Sequence, residues 1–278
     1  MSQSPKALLE QYQVQPKKSL GQHFMHDPGT LAKLLAAAEI TVADTVVEVG
    51  AGTGALTDKL AAQARQVYAI EIDTRLRSLL EDRFDDIDNV YLVFGDILKL
   101  DIAALLGAGD YVVVANVPYY ISSAILWHFI ESRLPPRRLV LTMQYEVAER
   151  IVGRAGAQNL LSVAAQFYGR TRIISKLSPA VFVPRPNINS AIVRIDTHTQ
   201  PPVDVPGTAA FFRVLRAGFS QKRKQLKNSL ASGLGMKSRP AERLLREAEI
   251  DPRRRAETLS LEEWARLTRK AHSEKDGS

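Results

Sequence analysis

The sequence predicts an α/β domain built on a seven-stranded sheet, followed by a small all-helical domain. Three observations predict it. Short β-branched runs alternate with helical patterns as far as residue 195, the apolar spacing turns purely helical beyond residue 200, and a proline-rich segment separates the two regimes.

The candidate strands are 46–49, 66–72, 90–94, 111–115, 139–143, 172–176 and 191–195. Between them Leu56, Leu60 and Ala64, and again Ile125 and Phe129, recur every four residues, so each set shares one helical face. Alternation of this kind predicts a parallel sheet flanked by helices. Residues 199–207 hold three prolines and a glycine and cannot sustain a helix, which sets the expected domains at 1–200 and 201–278. In the second, Phe211, Leu215 and Phe219, then Leu226 and Leu230, then Leu244, Leu245 and Ala248 each mark an apolar helical stripe. Ser260 and Glu263 have the spacing of a capping box that opens a last helix with Leu261, Trp264 and Leu267 inside.

Of the 278 residues 45% are hydrophobic and 24% charged, an ordinary globular composition. There is no cysteine, which excludes disulfides, thiolate metal sites and thiol nucleophiles, and with them cytosine-C5 methylation. The most apolar long stretch, 31–49, is interrupted by Lys33, Glu39, Asp44 and Glu48, so no membrane span is expected. The first two dozen residues carry neither an apolar block nor arginine, so the expected location is cytoplasmic. Net charge is +7, and residues 200–278 account for it, with 17 Lys/Arg against 10 Asp/Glu. Between Asp204 and Glu242 stand eight cations and no anion. That window predicts a phosphate-facing surface carried by Lys222, Arg223, Lys224 and Lys227, against the alternative of a solvated helix face.

The run from Val46 to Gly54, Val-Val-Glu-Val-Gly-Ala-Gly-Thr-Gly, reads as a strand entering a glycine-rich turn, where Gly50 and Gly52 let the backbone approach a ligand closely. Ala55 stands where a dinucleotide fingerprint wants a further glycine. Glu71 ends the second strand and suits a ribose, both of whose hydroxyls a carboxylate can bind. Asp96 follows the third strand, at a position suited to an adenine amine. Turn, acid and acid after three consecutive strands make S-adenosylmethionine the leading cofactor and a nicotinamide dinucleotide the second. Asn116-Val-Pro118-Tyr119 follows the fourth strand, at the carboxyl edge where open α/β sheets bind ligands. The exocyclic amine of adenine is a poor nucleophile because its lone pair is delocalised into the ring. The Asn116 side-chain oxygen and the Pro118 carbonyl, accepting its protons, would favour a pyramidal nitrogen, while Tyr119 stacks on the base. His23 and His26 lack the further ligands of a metal site, and none is expected. Tyr120 is expected to pack beneath Tyr119, and Phe211, Phe212, Phe219 and Trp264 to form helical core.

These motifs resemble those of the ribosomal RNA adenine N6,N6-dimethyltransferase family, in its bacterial small-subunit (KsgA-type) branch. The resemblance runs from Lys17 to Leu267. The segment from Lys17 to Asp27 resembles the family's amino-terminal cofactor motif, with His23 and Met25 where Asn and Leu are common. It implies that Gln22, His23 and Met25 line the methionine end of the cofactor. Val181 to Ala191 is similar to the family's late motif, which implies that Phe182 sandwiches the target base opposite Tyr119; Asn187 replaces a frequent Lys. Phe219 to Asn228 resembles the family's basic helix, and with the segment from Arg255 to Leu261 it separates the chain from DNA adenine methyltransferases.

The resemblance implies a Rossmann-like class I S-adenosylmethionine methyltransferase domain. It implies dimethylation of two adjacent adenosines in a 3′-terminal hairpin loop of 16S rRNA, within a small ribosomal subunit or its precursor, and a part in subunit biogenesis. No membrane partner is expected, and the chain is expected to be a monomer. Two alternatives stand beside this: a large-subunit rRNA methyltransferase of the macrolide-resistance type, and an assembly factor that binds RNA without turnover.

Overall fold

The computed structural model describes residues 4–153 and 158–276. The chain divides into two compact units, Met1–Ala148 with Arg170–Thr197, and Glu149–Gly169 with His198–Ser278.

In the first unit the strands are, in chain order, β1 (Phe24–Met25), β2 (Thr45–Val49), β3 (Gln66–Glu71), β4 (Val90–Phe94), β5 (Tyr111–Asn116), β6 (Arg138–Gln144), β7 (Gly169–Leu177), β8 (Phe182–Val183) and β9 (Ser190–Thr197). Seven of them form one sheet in the order β4-β3-β2-β5-β6-β9-β7, while β1 and β8 pair with each other. Each strand read from the sequence lies in that sheet. The expectation of a parallel sheet holds from β4 to β6, but β9 runs antiparallel to β6. A parallel return needs a crossover element, and between β7 and β9 there is only a single turn of 3₁₀ helix and the two-residue β8.

Strands β2 and β5 sit at the centre, with Val46, Val47 and Val112 to Ala115 fully buried. Continuous apolar runs of this kind belong to strands covered on both faces. The unit's helices are α1 (Pro5–Gln11), α2 (Pro28–Ala38), α3 (Ala55–Ala61), α4 (Arg77–Phe84), α5 (Ile102–Leu106) and α6 (Ser122–Ile130); α7 (Tyr145–Val152) follows β6. Helix α2 starts at Asp27, whose carboxylate accepts from Thr30 N at 2.7 Å. Its far end is held by Arg194 and Arg138, which donate to the carbonyls of Ala37 and Ala38 and pair with Glu39. Leu56 and Leu60 bury from α3, and Ile125 and Phe129 from α6.

The second unit contains α8 (Leu160–Tyr168), α9 (Thr208–Phe219), α10 (Leu226–Leu234), α11 (Ser238–Glu247) and α12 (Leu261–Asp276). Phe167 of α8 stacks on Phe211 of α9 with ring centroids 4.5 Å apart, so this helix shares the core of the later ones. Ser260 Oγ accepts from Glu263 N at 3.2 Å and Glu263 Oε2 from Ser260 N at 2.8 Å, which is the expected capping box. Phe211, Phe212 and Trp264 are buried, and Phe219 packs on Trp264. Among the described residues no helix is long and apolar enough to cross a membrane.

Candidate active site at the carboxyl edge of the sheet

Parallel pairing puts the strand ends level. Val49 is opposite both Ile70 and Ala115, and Glu71 is opposite Phe94. The residues that follow, Gly50, Asp96 and Asn116, therefore line up with Glu71 along one edge. They open onto a cavity of about 270 Å³, whose wall also includes Gly52, Pro118 and Tyr119. Gln22, His23 and Met25 reach the same cavity with Phe182, because β1 and β8 pair antiparallel and set Met25 opposite Phe182.

Gly50 has φ +81°, and a Cβ there would lie 3.1 Å from the Asn116 carbonyl oxygen. Gly52 has φ +59°, and its Cβ would meet the Phe24 ring at 3.0 Å. Both glycines are thus required by backbone conformation and by close approach. The buried Glu71 carboxylate accepts from Gly52 N at 2.8 Å and Asp73 N at 2.9 Å, and burial pushes its pKa upward despite those bonds. Asp96 is half-buried and accepts from Leu98 N at 3.1 Å, capping a 3₁₀ turn.

The Asn116 amide is fixed at both ends. Its Nδ2 donates to the His23 carbonyl at 3.2 Å, and its Oδ1 accepts from Thr142 Oγ1 at 2.8 Å. Since a carbonyl can only accept, the nitrogen must face His23, which leaves one Oδ1 lone pair for a ligand. The Pro118 carbonyl accepts from Ile121 N at 3.2 Å and likewise keeps a second lone pair. Tyr119 bonds through its hydroxyl to Ser190 Oγ at 2.6 Å, and its ring lies 5.8 Å from that of His23, tilted by 24°. His23 is held in turn by the Pro184 carbonyl, 2.7 Å from Nδ1.

Two expectations are corrected, the packing of Tyr120 and the basic helix. Tyr120 does not pack beneath Tyr119: it is 63% exposed at the rim of the cavity, beside Gly21. Gln22 borders the cavity, and its amide donates to Asp73 Oδ2 and accepts from Lys17 N, both at 2.8 Å, keeping one N–H and one oxygen lone pair. It fastens the amino-terminal segment to the turn after β3. Lys222, Arg223 and Lys224 are exposed but lie in the turn between α9 and α10, because Phe219 ends one helix and the next starts only at Leu226. Lys227, the fourth cation, is on α10 and pairs with Glu242 at 3.4 Å.

Three site residues carried no expectation. Thr142 is supplied by β6, and only the register that sets Asn116 opposite it brings the two together. Ser190 stands in the late motif without a stated role. Glu48 is fully buried inside β2 and borders the cavity; Thr57 donates to its Oε2 at 2.6 Å, and its Oε1 has no partner. Burial raises its pKa to about 8. A lone acid within an apolar strand was the available signal.

The family model for ribosomal RNA adenine dimethylase matches residues 13–269. The chain belongs to that family. It is 44% identical over 274 residues to a ribosomal RNA small subunit methyltransferase A from Moorella thermoacetica, covering 95% of each chain. To the protein of that name from Dehalococcoides mccartyi it is 43% identical over 263 residues, 94% of this chain and 90% of the other. Among solved structures it resembles a dimethyladenosine transferase from Plasmodium falciparum, with TM-score 0.74, 26% identity and coverage of 92% and 98%. It also resembles the 23S rRNA methyltransferase ErmE, with TM-score 0.72, 26% identity and coverage of 89% and 98%.

The fold is that of a class I methyltransferase, and the cofactor of this family is S-adenosylmethionine. The cavity fits it. Both Glu71 oxygens retain a lone pair after binding backbone N–H groups, as ribose hydroxyls require, and Ile72 and Leu98 expose apolar surface on the wall where a purine ring would lie.

Proposed function

We propose that the chain dimethylates the N6 amines of two adjacent adenosines in a 3′-terminal hairpin loop of 16S rRNA, within a small subunit or its precursor. The observation that carries this reading is the locked Asn116 amide, whose free oxygen lone pair is presented beside Tyr119 on the cavity that Glu71 also lines. When bound, S-adenosylmethionine supplies an electrophilic methyl group on a sulfonium sulfur. Glu71 binds its ribose, Asp96 its adenine side, and Gln22, Gly50, Gly52, His23 and Met25 border it.

The chain's own residues prepare the other reactant. Asn116 Oδ1 and the Pro118 carbonyl accept hydrogen bonds from the amine N–H groups and draw the nitrogen lone pair out of the ring, and the proton released on each alkylation passes to water. Tyr119 stacks on the base, and the Ser190 bond restrains its ring before the base arrives; Phe182 is fully buried in the core at the cavity wall, so it joins the sandwich only if its ring turns outward. The nitrogen becomes more acidic as it is alkylated, so no strong base is needed.

Residues 1–200 bind cofactor and base, and residues 201–278 grip RNA through Lys222, Arg223 and Lys224. Extruding a stacked base costs a few kcal/mol, which favours a loop over a duplex. The chain acts as a monomer in the cytoplasm. Relatives named for the small subunit, at 43–44% identity, favour this reading over the large-subunit one, for which ErmE stands at 26%. Mass spectrometry of nucleosides from small- and large-subunit rRNA incubated with the chain and labelled cofactor tests it. Label in dimethyladenosine from the small subunit alone is expected; label in the large subunit alone, or none, overturns the reading.

A further inference from the structure

A second stretch of unbalanced charge lies in the sheet unit. Between Glu149 and Asp196 the sequence has no Asp or Glu, and residues 170–185 contain Arg170, Arg172, Lys176 and Arg185. Strand β7 ends the sheet order, with β9 as its neighbour there. Arg170, Arg172, Ile174 and Lys176 are its exposed residues, all on one face because side chains alternate along a strand. Successive cations on that face therefore stand about 7 Å or a multiple of it apart.

The Lys176 end of this face is connected to Tyr119 by a chain of contacts. Lys176 Nζ is 4.3 Å from the centroid of the Tyr145 ring, Tyr145 N donates to the Asn189 carbonyl at 3.0 Å, and the adjacent Ser190 holds Tyr119. Arg185 is exposed one residue past Pro184, whose carbonyl holds the His23 ring beside Tyr119. The acids near the face do not neutralise it. Arg172 meets Asp196 at 3.3 Å, but that carboxylate is already bonded by Arg138 at 2.6 Å and Arg194 at 2.8 Å. Glu39 is shared by the same two inner arginines, so three guanidinium groups face two carboxylates.

We propose that the exposed face of β7, continued by Arg185, is a phosphate-binding track for the RNA strand that carries the target adenosine. The proposal rests on ribosomal RNA being the substrate. A line of cations leading away from Tyr119 matches a flexible polyanion whose extruded base is held there while its backbone runs along the strand. The track places RNA contacts on the unit that performs the chemistry, in addition to the turn at Lys222 to Lys224. The competing explanation is that cations on an edge strand only block pairing with other chains.

The test uses the full-length chain and small-subunit rRNA, with affinity measured against log salt. In Arg170→Gln/Arg172→Gln/Lys176→Gln the slope should fall by roughly two units, the scale of three lost single-strand phosphate contacts. Arg170→Gln/Lys176→Gln, which spares the Arg172–Asp196 pair, should lose roughly one and a half units. Arg170→Lys/Arg172→Lys should keep the slope, because charge and not fork geometry is what the track requires. Calorimetric affinity for S-adenosylmethionine identifies the variants that remain folded. An unchanged slope in the folded double variant overturns the track and leaves the cations as edge protection. A wild-type chain that transfers no methyl group to this RNA overturns the track and the substrate reading together.

Discussion

The hydroxyl of Tyr119 and that of Ser190 are 2.6 Å apart, so the residue after the Asn-Val-Pro triplet is tied to the first residue of β9. The bond spans two motifs far apart in sequence and restrains the aromatic ring at the cavity. A neutral hydrogen bond of this kind contributes about 1 kcal/mol. Tyr119→Phe and Ser190→Ala should each lower the rate of methyl transfer roughly fivefold, the equivalent of that energy. Tyr119→Ala should lower it far more, because the stacking surface goes too. Single-turnover rates on rRNA check this; equal losses in all three variants would remove the ring from base binding.

Asn116→Ala should lower transfer by roughly a hundred- to a thousandfold, the scale of deleting one oriented polar group at a reacting centre. Cofactor affinity should change little. Thr142→Val releases the amide oxygen and should lower the rate by a smaller factor in the same direction. Rate and calorimetric affinity measured on each variant separate the two effects. An active Asn116→Ala enzyme would exclude that side chain from the mechanism.

Glu71→Ala should weaken S-adenosylmethionine binding roughly ten- to hundredfold, as expected for lost hydrogen bonds to a carboxylate. Burial raises the Glu71 pKa, and only the ionised group accepts from both ribose hydroxyls. Affinity should therefore start to fall above the ordinary carboxylate range as pH is lowered. Isothermal titration from pH 8 downward measures it, and the Ala variant should lack that limb.

Glu48 titrates at about 8 in the folded chain, against 4.5 for an ordinary glutamate. The folded state therefore holds a proton that the unfolded state releases between these pH values. Its contribution to stability is complete below pH 4.5, declines as pH rises, and is lost near pH 8, with a slope of at most about 1.4 kcal/mol per pH unit. Glu48→Gln should flatten this part of the pH–stability curve in denaturant titrations. An identical slope in the variant would mean that Glu48 ionises normally.

Neutralising Lys222, Arg223 and Lys224 together should reduce the slope of log RNA affinity against log salt by roughly two to three units. Adding Lys227→Gln should change it little further, since that ammonium is paired with Glu242. Filter binding across a salt series reads both. An unaltered slope would return the turn to an ordinary solvated surface.

Much of this protein was written locally. Strand periodicity announced all seven strands, the spacing of Ser260 and Glu263 announced a cap, and the residues after consecutive strands announced where Gly50, Glu71, Asp96 and Asn116 would stand. Such signals are legible because parallel strands must end at a common edge, so each strand-terminal motif implies its neighbours.

What the linear order could not express was decided by pairing between distant segments. The sheet register alone sets Thr142 against Asn116, the β1–β8 pair alone brings Met25 to Phe182, and the antiparallel entry of β9 places Ser190 at Tyr119. Tertiary structure also converted a basic helix into a basic turn and bonded Gln22 and Lys227 to carboxylates on other elements. Side-chain type declares what a group can do, but its partner and remaining lone pairs follow from which strand lies beside it, and that is a property of the packed chain.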